Sequence, residues 1–238
     1  MLELADQLGV SEDTVRRDLR ALAARGYLQK THGGAVALDS GRMSWDARAD
    51  LRQEAKASIG AAAARLVEPG QSVMLDAGST VLELARRLHV RPLSVLTNSL
   101  DIAAVFAGEQ GVALSLTGGD WNVEARYLVG AGALEALSRR RADWAFLGAC
   151  ALHPQAGLTS VSDADAAVKG AMLAAAERAV VLIDASKAGQ IAPYLVAPLS
   201  RLHAVVTDDP AAARILEDAG LRVLLAEMQE DEPRQAPR

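Results

Sequence analysis

The sequence predicts an α/β protein in two unequal parts: a small N-terminal module of helices and a hairpin, then a larger body on a mostly parallel sheet. Three observations carry this prediction. Seven short apolar runs, SVMLD, LSVLT, VALSLT, WAFLGA, AVVLID, AVVTD and RVLLA, alternate with helical segments through the larger part. Near-continuous apolar strands separated by helices are the pattern of a parallel sheet covered on both faces. Ahead of them, two short amphipathic helical patterns meet at Gly9. With 238 residues, half of them hydrophobic, the chain can bury one large core and still support a second small unit.

In order along the chain, LELADQL sets Leu2, Leu4, Ala5 and Leu8 on one face of a short helix that Gly9 ends. Ser11 then caps a second helix, and Glu12 and Asp13 lie in its first turn, where carboxylates favour the helix dipole. Val15, Leu19 and Leu22 follow helical spacing and are expected to face inward, leaving Thr14, Arg16, Arg17 and Arg20 outward. Gly26 stops this helix, and YLQKTHGGAVAL reads as a hairpin turning at His32, Gly33 and Gly34. Two helices on a tight turn, followed by a hairpin, form a winged helix-turn-helix. The expected divisions are this module at 1–38, a linker and one Ala-rich connecting helix at 39–66, the α/β body at 67–228 and a polar tail at 229–238.

Charge separates the two parts. The formal net charge is −5, yet residues 11–30 hold five basic and three acidic side chains, leaving −7 for the remainder. An acidic chain does not coat nucleic acid by charge alone, but a local basic helix can dock on it. The single cysteine, Cys150, forbids an intramolecular disulfide and suits a reducing compartment, so a cytoplasmic location is expected. No apolar run approaches the length of a membrane span, and no secretory signal is evident. The four histidines are scattered without metal-ligand spacing, so no metal site is expected, and no GxSxG elbow marks a nucleophile, so a hydrolase has little support. No cofactor is expected.

The candidate chemistry lies at the strand ends. SVML runs into Asp76, then Ala77, Gly78, Ser79 and Thr80 open a helix, a turn that suits an anion or serves as an ordinary capped βα turn. Asp76 itself would repel phosphate and fits sugar hydroxyls or loop orientation instead. Thr97, Asn98 and Ser99 end the next strand as caps or ligand contacts, and Gly118 and Gly119 let backbone approach closely after the third. Ligands of open parallel sheets bind beyond the carboxyl ends of the strands, so all three turns are expected along one crevice. Lys187 in LIDASKAGQ offers a point charge for phosphate or is merely exposed. Asp165 and Lys169, four residues apart, share a helix face and read equally as a surface ion pair.

The ordered set VSEDTVRRDLRALAARGYL, HGGAV, LDAGST, LTNSLDIA, LTGG, WAFLGA, GLTSVSDADAAVK, DASK and VVTD resembles the DeoR/GlpR family of bacterial transcriptional regulators. The resemblance implies a sensor body similar to the ribose-5-phosphate isomerase and CoA-transferase fold. It further implies a repressor of sugar or polyol catabolism genes, relieved by a phosphorylated sugar or polyol effector. On this pattern Ser11, Thr14, Arg16, Arg17, Arg20, Lys30 and His32 face operator DNA. Asp76, Gly78, Ser79, Thr80, Thr97, Asn98, Ser99, Gly118, Gly119, Asp165, Lys169 and Lys187 serve the effector. The family pattern carries Glu where this chain has Asp165, and Thr where it has Ser79. It also places one further helix ahead of the position of Met1, so the module is expected in truncated form, with less cover for Val15, Leu19 and Leu22. A homo-oligomer, dimer or tetramer, is expected, with dimers bridging half-sites about 34 Å apart. Two other readings stand beside this one: a sugar-phosphate isomerase using Asp165 or Asp184 as base, and a sensor that works without DNA.

Overall fold

The structure, a computed structural model, describes residues 2–31, 34–38, 43 and 45–227. The small unit opens with α1 (Leu2–Leu8) and α2 (Glu12–Ala24), followed by β1 (Leu28–Thr31) and β2 (Gly34–Ala37). Gly9 makes the turn between the helices with φ +64°, a conformation strained for residues with a Cβ. The Ser11 hydroxyl accepts from the Thr14 amide at 3.2 Å, so the expected cap is in place. The hairpin is antiparallel, with Leu28 opposite Ala37. Only part of the expected inner face is covered: Val15 is buried and Leu19 half-buried, but Leu22 is 37% exposed. Leu2 and Leu8 are likewise exposed on the neighbouring helix. The turn residues His32 and Gly33, most of the linker and the tail from residue 228 lie outside the described residues, as does the Lys30 side chain.

The connecting segment departs from expectation. In place of one helix there are two, α3 (Trp45–Asp50) and α4 (Gln53–Ala64). The break falls at Arg52, which is left-handed at φ 52° and is held by ion pairs to Asp208 at 2.8 Å and Asp184 at 3.9 Å. Composition reports helix propensity, and it does not report that two carboxylates of the body pin an arginine into a non-helical conformation.

The body continues with β3 (Ser72–Leu75), α5 (Ser79–Ala85), β4 (Leu93–Thr97), α6 (Leu100–Phe106), β5 (Val112–Leu116), β6 (Asp120–Asn122) and β7 (Tyr127–Val129). Next come α7 (Ala131–Ser138), β8 (Ala142–Gly148), β9 (Ala151–His153), β10 (Gly157–Ser160), α8 (Asp163–Ala175) and β11 (Ala176–Ile183). The last elements are β12 (Tyr194–Ala197), β13 (Ala204–Thr207), α9 (Pro210–Asp218) and β14 (Val223–Leu225). All seven expected apolar runs become strands of one parallel sheet, ordered β14-β13-β11-β8-β3-β4-β5.

Alternation sends successive side chains to opposite faces of that sheet. In β8, Trp144 and Phe146 join Ile59 of α4 and Val81 and Leu84 of α5, while Ala145 and Leu147 face Leu137 of α7 and Met172 of α8. Both faces are therefore covered. The chain winds outward from β3 through β4 to β5, then resumes at β8 and winds the other way. The reversal lies between β3 and β8, and such switch points open a crevice beyond the carboxyl ends of the strands. A small antiparallel sheet, β12-β10-β9, and the β6–β7 hairpin stand around that crevice.

Candidate functional site

A cavity of about 700 Å³ lies above the switch point. Three sets of residues wall it. Gly78, Ser79, Thr80, Gly148, Ala149 and Cys150 come from the ends of β3 and β8. Tyr127, Ser160, Ser162, Asp165, Lys169 and Lys187 come from the hairpin, β10, α8 and the loop after β11. Gly26, Leu38, Met43, Trp45 and Arg48 come from the hinge side of the small unit and from the linker.

At its floor lies a buried ionic triad, of which Asp165 and Lys169 are part of the lining and Asp76, fully buried behind them, is not. Lys169 Nζ lies 2.7 Å from Asp76 Oδ2 and 2.6 Å from Asp165 Oδ1, and all three residues are buried. Asp165 also accepts from the Ser160 hydroxyl at 2.6 Å, and Asp76 Oδ2 from the Gly148 amide at 3.0 Å. The other Asp76 oxygen, Oδ1, is buried without a hydrogen-bond partner among the described residues. Burial pushes the Asp76 carboxyl up to about 6, against the pull of Lys169. Burial also opposes the Lys169 charge, but Asp165 and Asp76 outweigh it and hold the ammonium above the ordinary lysine range. The i,i+4 spacing of Asp165 and Lys169 thus marks an interior pair and not a surface one. Sequence spacing is identical for the two cases, so only the fold distinguishes them.

The remaining expected effector residues divide cleanly. Gly78 caps α5 with no side chain of its own, leaving the first amides of that helix without a side-chain partner, and Ser79 and Thr80 follow it at the cavity wall. Lys187 is half-buried at the same wall; burial lowers its pKa, with Asp184 opposing. Thr97, Asn98 and Ser99 are buried but are not part of the lining. Thr97 Oγ1 donates to the Leu75 carbonyl at 2.7 Å, Asn98 Oδ1 accepts from the Ala77 amide at 2.8 Å, and Ser99 Oγ accepts from the Ile102 amide at 3.3 Å. Their polar atoms tie the Asp76–Gly78 turn to β4 and cap α6. Gly118 and Gly119 also stand outside the lining. A Cβ on Gly119 would meet the Val129 carbonyl oxygen at 2.2 Å, so its role is to let β7 approach.

On the small unit, Ser11, Arg16, Arg17 and Arg20 are exposed along α2, with Thr14 half-exposed. Arg16 pairs with Glu12 at 3.1 Å and Arg17 with Asp18 at 3.5 Å, both on the solvent side, where such pairs are weak and exchange readily for a phosphate. The sequence reading missed the linker wall and the hairpin wall. Trp45 carries Arg126 stacked on its ring, Cζ 4.6 Å from the centroid, and Arg126 is paired with Asp101. The one local signal was Ser162, three residues ahead of Asp165 in the capping pattern, which does cap α8.

Residues 51–209 match the profile of the DeoR C terminal sensor domain, and residues 1–41 match that of the DeoR-like helix-turn-helix domain. The chain belongs to the DeoR family of transcriptional regulators. It is 32% identical over 233 residues to the HTH-type transcriptional repressor GlcR of Bacillus subtilis, covering 96% of this chain and 90% of that protein. It is 35% identical over 232 residues to the uncharacterized HTH-type transcriptional regulator YgbI of Escherichia coli, covering 94% and 90%. Among solved structures, ribose 5-phosphate isomerase A of Methanocaldococcus jannaschii is similar at 19% identity and a TM-score of 0.41, covering 56% of this chain and 52% of that one.

Among the described residues, no helix is long and apolar enough to cross a membrane. No group of three or more His, Cys, Asp or Glu side chains suited to a metal ion occurs among them either.

Proposed function

We infer that this chain is a DNA-binding repressor of sugar or polyol catabolism genes, released by a phosphorylated sugar or polyol held in the cavity above the switch point. The observation that carries the reading is that one cavity is walled both by the body and by residues at the base of the small unit, Gly26 and Leu38, with Met43 of the linker beside them. A ligand there touches both parts. Asp165 and Lys169 offer an acceptor and a donor for hydroxyl groups, with Asp76 holding Lys169 from behind, while Ser79, Thr80 and Lys187 serve the phosphate. Thr97, Asn98, Ser99, Gly118 and Gly119 act on the ligand only through the shape of the turns. Arg16, Arg17 and Arg20, exposed along α2, face operator DNA, and two copies read paired half-sites. The relative GlcR carries the name of a repressor, which supports this direction of regulation.

The isomerase reading gains less. Its candidate bases are already engaged, Asp165 by Lys169 and Ser160, and Asp184 by the Ser186 amide at 2.9 Å. The test is fluorescence anisotropy of the full chain on DNA from upstream of its own gene, with glucose 6-phosphate, ribose 5-phosphate and glycerol 3-phosphate added in turn. One of them is expected to weaken binding at least tenfold. Arg17→Ala is expected to weaken DNA binding and to lower the salt slope by about one. Binding that ignores every phosphorylated compound removes the sensing half of the reading, and a chain that binds the ligand but no DNA favours the DNA-independent sensor.

A further inference from the structure

The cavity's cations are not alike. Lys169 is paired with two carboxylates and Arg126 with Asp101. Arg48 and Lys187 line the same space, and among the described residues neither has a carboxylate within ion-pair distance. A third cation stands behind them: Lys56 of α4 is 3% exposed, and its Nζ donates to the Arg48 carbonyl. Burial, with Lys187 and Arg48 beside it, lowers Lys56 to about 8 against the pull of Asp184 and Glu83. Arg48 depresses Lys187 as well. Asp184 is the counterweight, and it is shared with the Ser186 amide and hydroxyl and with Arg52. Asp46 and Glu124 line the cavity too, but among the described residues neither is ion-paired with Arg48 or Lys187, and a dianion entering beside these two cations gains charge-assisted hydrogen bonds from both. The guanidinium fork suits phosphate geometry, and the lysine adds a point charge.

The placement of Arg48 matters as much as its charge. It sits on α3, a helix of six residues, and two residues further on Asp50 accepts from Arg25 at 3.1 Å and from Tyr27 at 3.3 Å. Those partners belong to the end of α2 and the start of the wing. Beyond Asp50 the chain breaks at Arg52, so α3 is not continuous with α4.

We propose that Arg48 is a phosphate-binding residue of the cavity, closing with Lys187 on the anionic group of the ligand, and that α3 passes the resulting displacement through Asp50 to the DNA-binding unit. This rests on the sugar-phosphate reading above. It assigns the linker helix to the effector site and makes a phosphate, more than the sugar, the group that drives release.

The experiment titrates inorganic phosphate and ribose 5-phosphate into the full chain by calorimetry, with melting temperatures recorded for every variant. Arg48→Gln is expected to weaken both ligands at least tenfold, Lys187→Gln similarly, and Arg48→Lys by a smaller factor. Asp50→Asn is expected to bind both ligands within threefold of the parent. Amide exchange over residues 2–31 reads the relay: phosphate changes it in the parent and not in Asp50→Asn. Arg48→Gln that melts normally and binds within twofold overturns the contact, whatever Lys187→Gln does. Should Arg48→Gln fail to fold, Arg48→Lys decides: unchanged affinity for both ligands in that variant overturns the geometric claim for the guanidinium. An exchange response that survives in Asp50→Asn overturns the relay alone. If the parent binds neither probe nor any sugar phosphate, the sugar-phosphate reading falls first and the proposal falls with it.

Discussion

Replacing Lys169 with Met tests the buried triad at the floor of the cavity. The substitution keeps most of the side-chain volume and removes the charge that lies 2.6–2.7 Å from two carboxylates. Breaking a buried ion pair from one side leaves uncompensated charge and costs about 3–5 kcal/mol. For a protein of this size about 1 kcal/mol moves the melting temperature by 2–4 °C, so a loss of roughly 6–20 °C is expected near neutral pH. The loss must depend on pH. Asp76 already titrates near 6 with Lys169 beside it, and removing the ammonium drives it higher. A carboxyl whose folded pKa exceeds its unfolded value takes up its proton more readily in the folded state, so stability is retained at low pH and lost as pH rises through the folded pKa. The variant should therefore be less damaged at pH 5 than at pH 7.5, with a slope of up to about 1.4 kcal/mol per pH unit. Thermal melts and urea titrations at both pH values measure this. A loss under about 1 kcal/mol that is equal at the two pH values would refute the account of the triad as a buried, mutually dependent unit.

Three further outcomes follow from the same geometry. In Asp76→Asn the proton uptake between about pH 4 and 6 disappears, so the stability of the parent relative to this variant should fall as pH rises across that window; a constant difference would show that Asp76 does not titrate there. Gly60→Ala places a Cβ 2.7 Å from the backbone of Glu83 and Leu84, and urea unfolding should show a loss of about 1–3 kcal/mol as α4 is forced off α5. Cys150 lies half-buried in the cavity wall, its Sγ 3.7 Å from the Ser160 hydroxyl, so alkylation by N-ethylmaleimide should slow several-fold in the presence of any sugar phosphate found to weaken DNA binding; mass spectrometry that finds an unchanged rate would place that ligand elsewhere.

The inner strands of the sheet were legible because they are buried on both faces and so read as apolar runs, as AVVLID does in β11, whereas the half-exposed edge strands β5 and β14 were legible from apolar composition alone. The β6–β7 hairpin and the small β12-β10-β9 sheet were not, because DWN, YLV, ALH and GLTS are three or four residues long and carry no alternation. Strand-end polar residues were legible as a class, but Thr97, Asn98 and Ser99 turned inward to backbone groups while Ser79, Thr80 and Lys187 reached the cavity. Nothing local separates these cases, since a hydroxyl at a strand end serves a cap or a ligand with the same residue type. The linker wall was hidden for a different reason. WDARAD reads as a solvated helical turn, and only the break at Arg52 sets Trp45 and Arg48 against the body.

The cavity is bounded by two parts of the chain, and this has a thermodynamic corollary. Any ligand that loosens the grip on an operator by some factor must itself be held more loosely, by that same factor, when the operator is bound. For such a ligand, promoter occupancy becomes a term in the apparent affinity. Copies on DNA would answer only to higher concentrations of the compound than copies free of it, and the gap between the two thresholds is the coupling read from the ligand's side.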